Sequence, residues 1–308
     1  MLPFQKKALE EAKARWAKAL AKNEKDKTAS AYGALSFDGF YDRDSTSAHS
    51  FFVAKPADQN TPMPLVIDIH GGLWRDGSKE TNRRFALYLA SLGFDVFCPD
   101  FPQAADTDLI GMIKEILKAI SYARDNAHRL SLSFDDVFLM GNSSGAQLAL
   151  ALSVIFLSPA LRKEFGFAVP KVAFKALVLN HPVVFFDSIP TSDMEDFKDI
   201  KALRYCLFGK DKGSKKAFYN PEGYSSLISY GYPPVRIISS AGDPFQDQAK
   251  TLYALLMNGG AKVEGDFNGD VTLGHDYNVK DVDSLDATTT NNGIALFLEG
   301  HIDKSTIV

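Results

Sequence analysis

Gly141-Asn142-Ser143-Ser144-Gly145 stands between Asp136-Val137-Phe138-Leu139-Met140, an apolar run that reads as a buried strand, and Gln147 to Phe156, which reads as a helix. A serine hydroxyl is a poor nucleophile at neutral pH and has to be held out from the chain, beside a base and facing donors for an oxyanion. A tight strand-to-helix turn meets that need. Small residues on either side of the central serine let the backbone fold sharply. The helix that follows aims N–H groups and the positive end of its dipole at the reacting carbonyl. Ser143 is therefore the expected nucleophile. The G-x-S-x-G pattern is short enough to arise by accident, so its surroundings have to support the reading.

Outward from this turn the chain alternates strand and helix. Upstream, Leu65-Val66-Ile67-Asp68-Ile69 is a β-branched run that opens into His70-Gly71-Gly72, and Asp95-Val96-Phe97-Cys98 is a second buried strand. Between and after them, Arg84 to Leu92 and the spacing of Leu109, Ile113, Ile116, Leu117 and Ile120 predict helices. Downstream, Val172 to Leu179, Val235 to Ser239 and Lys262 to Phe267 read as strands. Phe245 to Met257 is a helix stopped by Asn258-Gly259-Gly260, and Ile294 to Leu298 belongs to a last helix. Ser36 to Tyr41 and Ala48 to Ala54 precede all of this as a strand pair joined near Asp42-Arg43-Asp44-Ser45. The pattern predicts an α/β fold: one mostly parallel sheet with helices on both faces, built as a single domain over residues 1–308.

Two segments sit outside the alternation. Residues 4–22 place Phe4, Ala8, Leu9, Ala12, Trp16, Ala19 and Leu20 on one helical face, an amphipathic helix expected to pack on its own domain rather than on a membrane or a partner. Residues 182–232 hold Phe185, Phe186, Phe197, Tyr205, Phe208, Phe218, Tyr219, Tyr224, Tyr230 and Tyr232, and are expected to form a small cap over a substrate pocket. The Lys210-Asp211-Lys212-Gly213-Ser214-Lys215-Lys216 stretch inside it lacks the spacing of a phosphate-binding loop and reads as a solvated turn.

In a parallel sheet the carboxyl ends of the strands share one edge, so residues just after different strands can meet there. A nucleophile needs an imidazole to take its proton and a carboxylate to hold that imidazole. Asp243, at the end of its strand, and His275, in a Gly-flanked loop after the penultimate one, are expected to join Ser143. The order Ser, Asp, His is that of an α/β-hydrolase sheet. His49, His128 and His301 lie near the wrong edge, in a connection or at the far terminus; His181 follows a strand but precedes the carboxylate candidates, which breaks the order. Asp247, Asp270 and Asp276 are lesser candidates for the acid, and Asp243 also suits a helix cap before Pro244. Backbone N–H groups of Gly72, Leu73 and Ser144 are the expected oxyanion donors, with Gly71 giving the turn its freedom and His70 buttressing the loop.

A chain of 308 residues with 45% apolar content can bury a large core. A net charge of −4 shows no basic excess, which argues against nucleic acid or an anionic membrane surface as partner. Two cysteines, Cys98 and Cys206, fit a reduced compartment. With no signal-peptide pattern at the amino terminus and no apolar run of membrane-span length, the expected location is cytoplasmic. No metal-ligand pattern is read, and oligomeric state is not encoded in any motif.

The run Asp68-Ile69-His70-Gly71-Gly72-Leu73-Trp74, with Asp100-Phe101, Gly141-Asn142-Ser143-Ser144-Gly145, Asp243-Pro244-Phe245-Gln246-Asp247 and Gly274-His275, resembles the hormone-sensitive-lipase-like branch of the α/β-hydrolases. The resemblance covers roughly residues 50–300. It implies a serine carboxylesterase with no cofactor, a small-molecule ester of short acyl chain as substrate, and a cap drawn from the amino-terminal segment and the insertion before the Asp-bearing strand. Three positions depart from that pattern: Leu73 replaces a usual glycine, Asn142 a frequent aspartate, and Ala146 a frequent glycine. His70 to Lys79 is also similar to bacterial kynurenine formamidases and feruloyl-esterase-like relatives, which adds formamides and aryl esters as expected substrates. The alternatives are thus an amidase or arylformamidase with the same triad, and a non-catalytic binding protein on the same fold.

Overall fold

The computed structural model describes residues 3–23, 29–59, 61–189, 199–209, 228 and 231–303. In chain order the elements are α1 (Pro3–Asn23), β1 (Ser30–Ala31), β2 (Ala34–Phe40), β3 (Ser50–Pro56), β4 (Leu65–Ile69), α2 (Arg83–Ser91), β5 (Asp95–Pro99), α3 (Leu109–Asp125), α4 (Ala127–Leu130) and β6 (Val137–Asn142). They continue with α5 (Ser144–Leu157), α6 (Pro159–Phe165), β7 (Phe174–Asn180), α7 (Ile200–Phe208), β8 (Val235–Ser240), α8 (Gln246–Asn258), β9 (Val263–Asn268), α9 (Tyr277–Lys280) and α10 (Leu285–Glu299).

Among the described residues, nine strands join one sheet in the order β1-β2-β3-β5-β4-β6-β7-β8-β9. The pairs β1–β2, β2–β3 and β3–β5 are antiparallel and the rest parallel. β4, β5 and β6 are buried at every position, as a strand covered on both faces requires. One face carries α3, α5 and α8 with residues such as Ile116, Leu152 and Leu252; the other carries α2 and α10 with Phe85, Leu89 and Ile294. Register aligns Ile69 with Gly141, Asn142 with Asn180, Asn180 with Ile238, and Ser240 with Asn268. Among the described residues, the carboxyl ends of six parallel strands, β4 to β9, therefore lie on one rim, and every residue expected at the site follows one of them.

Local chemistry sets the helix ends. Asp108 caps α3 by accepting from Gly111 N–H, and Ser158 caps α6 by accepting from Leu161 N–H ahead of Pro159. The last helix begins at Leu285, nine residues before the apolar run that announced it, because Ser284 caps it and accepts from Ala287 N–H. Its first turns are polar, yet Ala287, Thr290, Asn291 and Ile294 form a buried stripe at helical spacing. The third strand starts at Ser50 rather than Ala48, because Ser47–His49 forms a 3-10 turn closed by Ser50 Oγ–H donating to Ser47 O.

α1 buries Leu9, Ala12 and Trp16, while Ala8, expected on the same face, is exposed. Ala8 lies just off the buried stripe of residues 9, 12 and 16. Arg15 ties α1 to Asp199, ahead of α7, through Nε at 3.1 Å and Nη2 at 2.5 Å. The side chains of Phe4, Ala19 and Leu20 lie outside the described residues, as do Phe197, Phe218, Tyr219, Tyr224, Tyr230 and the Lys210–Lys216 turn of the expected cap. Of that segment, Phe186 packs on Trp74 and Phe208. Among the described residues, no single helix is long and apolar enough to cross a membrane.

Candidate active site

The turn between β6 and α5 puts Ser143 at φ 54° and ψ −123°, a region that L-residues adopt only under constraint. The constraint is visible: Ser143 N–H donates to Asn180 O at 2.9 Å, and Ser143 O accepts from Val183 N–H at 3.1 Å and Ala146 N–H at 3.1 Å. Both glycines of the motif are dictated by crossing backbones. A Cβ on Gly141 would sit 2.4 Å from Gly145 O, and one on Gly145 would sit 2.0 Å from Ile69 O.

The β4 exit folds over this turn. A Cβ on Gly71 would meet Ser143 Cβ at 2.8 Å, and one on Gly72, at φ 114°, would meet Gly77 N at 2.2 Å. Leu73 and Trp74 follow at φ 50° and 59°, a left-handed pair that explains why glycine is usual at position 73. Trp74 N–H donates to Ser144 Oγ and its indole N–H to Gln147 Oε1, both at 3.1 Å, so the turn is tied to α5. Gly72, Leu73 and Ser144 N–H groups donate to no acceptor among the described residues. His70 is fully buried, stacked on Phe101 at 4.4 Å, with Nδ1 2.9 Å from Gly71 O and Nε2 3.0 Å from Asp100 Oδ1.

His275 lies between the turn and the acid. Its Nε2 is 2.9 Å from Ser143 Oγ, and its Nδ1 is 3.0 Å from Asp243 Oδ1. Because a carboxylate only accepts, Nδ1 carries the proton and Nε2 is left to receive the serine hydroxyl. The Asp243 and His275 loops are knitted together: Ser240 Oγ–H donates to Leu273 O at 2.7 Å, and a Cβ on Gly242 would lie 2.4 Å from Val271 O. Burial works against a charged Asp243, but hydrogen bonds from His181 and His275 outweigh it and hold the carboxyl well below the usual range. Burial likewise opposes the His275 imidazolium, yet Asp276 and Asp243 more than compensate, so its pKa is raised above the ordinary histidine value.

Two features escaped sequence reasoning. Asn142 is a buried junction: its Oδ1 accepts from Gly71 N–H at 3.0 Å and Asn82 Nδ2 at 2.9 Å, while its Nδ2 donates to Asp276 Oδ2 at 2.8 Å. It thus joins the β4 turn, the elbow and the His275 loop, its amide offering both the acceptor and the donor required. Asp276 in turn sits 3.6 Å from His275 Nε2. Asn82 also donates to Asp68, whose carboxyl burial pushes up to about 7. The second feature is His181, set aside on chain order, whose Nδ1 lies 2.7 Å from Asp243 Oδ2. Asp247 and Asp270 make no contact with the imidazoles.

His181, Asp243 and His275 offer ligand atoms within 4.8 Å of one another, but both Nδ1 atoms are already engaged with the carboxylate. The other such group, Asp42, Asp44 and His49, has Lys118 bonded to Asp42.

A strained serine between a parallel strand and a buried helix, with an imidazole and a carboxylate arriving from later strand ends, defines a class, and the chain belongs to the alpha/beta hydrolase fold family, whose profile matches residues 66–275. An arylesterase of Saccharolobus solfataricus is 28% identical over 224 residues, 69% of each chain. An isoprenylcysteine alpha-carbonyl methylesterase of Arabidopsis thaliana is 25% identical over 68% of this chain and 50% of its own. Among solved structures, esterase B of Lactobacillus rhamnosis (HN001) superposes with a TM-score of 0.86 at 23% identity, covering 97% of this chain and 96% of that one.

Proposed function

We propose that the chain is a serine carboxylesterase that hydrolyses short-chain acyl or aryl esters through an acyl-enzyme. The observation that carries this reading is the unbroken series Asp243 Oδ1, His275 Nδ1, His275 Nε2 and Ser143 Oγ, with steps of 3.0 and 2.9 Å, ending beside the N–H groups of Gly72, Leu73 and Ser144, which donate to no acceptor among the described residues. The esterases among its relatives support it.

Ser143 Oγ attacks the ester carbonyl carbon as its proton passes to His275 Nε2. The carbonyl oxygen becomes the oxyanion, within reach of N–H groups of Gly72, Leu73 and Ser144, while Asp243 steadies the imidazolium. Collapse breaks the bond to the alkoxy group, which leaves as the alcohol with the proton from His275. Water, deprotonated by the same nitrogen, then releases the acid and restores the serine. The free thiols Cys98 and Cys206 support residence in a reducing compartment such as the cytoplasm.

A fluorophosphonate probe is expected to label Ser143 stoichiometrically. p-Nitrophenyl acetate and butyrate are expected to turn over faster than the octanoate, the matched anilides or N-formylkynurenine. Absence of labelling in the folded protein excludes the nucleophile, and preference for N-formylkynurenine replaces the esterase with a formamidase.

The base works only when neutral, and its pKa is raised, so the acid limb of kcat/KM is expected above pH 6.5, the ordinary histidine value. Asp276→Asn keeps an acceptor for Asn142 and tolerates φ 58°, but removes a negative charge beside the ring. The limb should then move to lower pH, as a pH–rate profile of the two proteins will show.

A further inference from the structure

Asp243 is the most heavily supported side chain at the site. Its Oδ1 takes His275 Nδ1 at 3.0 Å and the Phe245 N–H at 2.8 Å. Its Oδ2 takes His181 Nδ1 at 2.7 Å and the Ser239 hydroxyl at 3.2 Å. A carboxylate offers about four lone-pair directions, so this one is saturated. Of the four donors, two come from its own loop and strand, one from the base, and one from a strand end that the chain order of the triad does not use.

His181 is placed for that contact and for no other. It leaves β7 at φ 47°, with its own N–H donating to Ile238 O on β8 at 2.8 Å, so the backbone is pinned while the ring turns toward Asp243. Both side chains are fully buried. The ring stands edge-on to His275 at 5.7 Å and to Tyr277 at 5.4 Å, which fixes its plane. Nε2 is buried with no hydrogen-bond partner among the described residues, so the carboxylate makes the one hydrogen bond to the imidazole there. A left-handed backbone and an unpartnered ring nitrogen are both costly, and a leucine or asparagine would avoid one or the other.

We propose that His181 is a positioning residue for the acid of the triad: its Nδ1–H anchors Oδ2 so that Oδ1 stays in the plane of His275 Nδ1 while the imidazolium forms and discharges. The idea rests on the esterase reading for its kinetic consequences only. Without His181, Oδ2 keeps the longer hydroxyl contact alone and the carboxylate can pivot about its Cβ–Cγ bond, loosening the hold on the base. His181 does not replace His275, since its Nδ1 is committed to the carboxylate.

The experiment compares the wild type with His181→Ala and His181→Asn, whose amide Nδ2 occupies nearly the position of the imidazole Nδ1 and which accepts a positive φ. With p-nitrophenyl butyrate, the alanine variant should lose about 10- to 100-fold in kcat with KM unchanged, the worth of one hydrogen bond to a charged group. The asparagine variant should recover most of it. Proton NMR supplies a readout independent of turnover: the wild type should show downfield, exchange-protected imidazole N–H signals from His181 and His275, beside that of the buried His70. In His181→Ala one should vanish and the one from His275 should shift, while in His181→Asn the His275 signal returns toward its wild-type position. Equal losses of kcat in both variants, or a His275 signal that does not move in His181→Ala, would overturn the proposal. A wild type that cleaves no ester but shows these NMR changes would sink the esterase reading and leave the positioning role standing.

Discussion

Ser143→Ala should abolish ester hydrolysis, with kcat falling by about 10⁶-fold, the loss seen when the nucleophile of such a unit is removed. The substitution deletes one oxygen and leaves everything that shapes the turn. The backbone bonds to Asn180 and Val183 do not involve the hydroxyl. The glycine crossings at 141 and 145 are untouched. Folding and substrate binding should therefore persist, and a burst of alcohol under single-turnover conditions should vanish together with fluorophosphonate labelling. His275 Nε2 loses its only neutral partner at 2.9 Å, so a water can take the place of Oγ. Residual turnover of roughly 10³-fold over water is expected from the donor turn acting on a water nucleophile. A variant that keeps more than about a hundredth of wild-type kcat means that some other group attacks.

Asp243→Ala should cost about 10⁴-fold in kcat, because His275 is then free to carry its proton on Nε2, where it cannot accept from the serine. Asp243→Asn should cost distinctly less, for a reason specific to this site. On the Oδ1 side the Phe245 N–H is a fixed donor, and it demands the amide oxygen there. On the Oδ2 side both partners can adapt: the Ser239 hydroxyl can rotate to accept, and His181 can present a bare Nδ1 by moving its proton to Nε2. The amide then offers its oxygen to His275 Nδ1–H and preserves the productive tautomer, losing only the charge that stabilises the imidazolium. The order wild type, asparagine, alanine in kcat, at similar KM, is the expected result. An asparagine variant as poor as the alanine one would show that the amide has turned the other way.

The rim of the sheet was legible from the chain because the turns at Gly71, Ser143 and Asp243 each follow a short apolar run, whereas His275 follows the partly exposed edge strand β9, with Glu264 and Asp266 in it. Ser143, Asp243 and His275 could be picked out by the turn motif, their places after strand ends and their chain order. The same rule hid His181. Order ranks residues by their place along the chain, whereas a carboxylate has two oxygens and can be reached from both sides. Asn142 was noticed as a departure, but its three hydrogen bonds join residues 71, 82 and 276, which no local pattern connects. The left-handed pair at Leu73 and Trp74 was likewise out of view, since neither residue type announces a positive φ. The start of α10 was missed because its first turns pack through Thr290 and Asn291, polar side chains that mimic a loop. Cys98, unremarkable in the sequence, is a buried core residue of the sheet, and burial pushes its thiol well above the ordinary value.

α5 is enclosed from Ser144 to Ile155, whereas the ring of His275 keeps 18% of its surface open to solvent. Amide protons in the middle of α5 are expected to exchange only when the whole molecule opens, and those around residue 275 sooner. Ser143 and His275 are thus expected to lie in units of unequal durability. On warming, the protein should fall silent through its base first, with the elbow still assembled, and a sample cooled at that stage regains its activity without refolding.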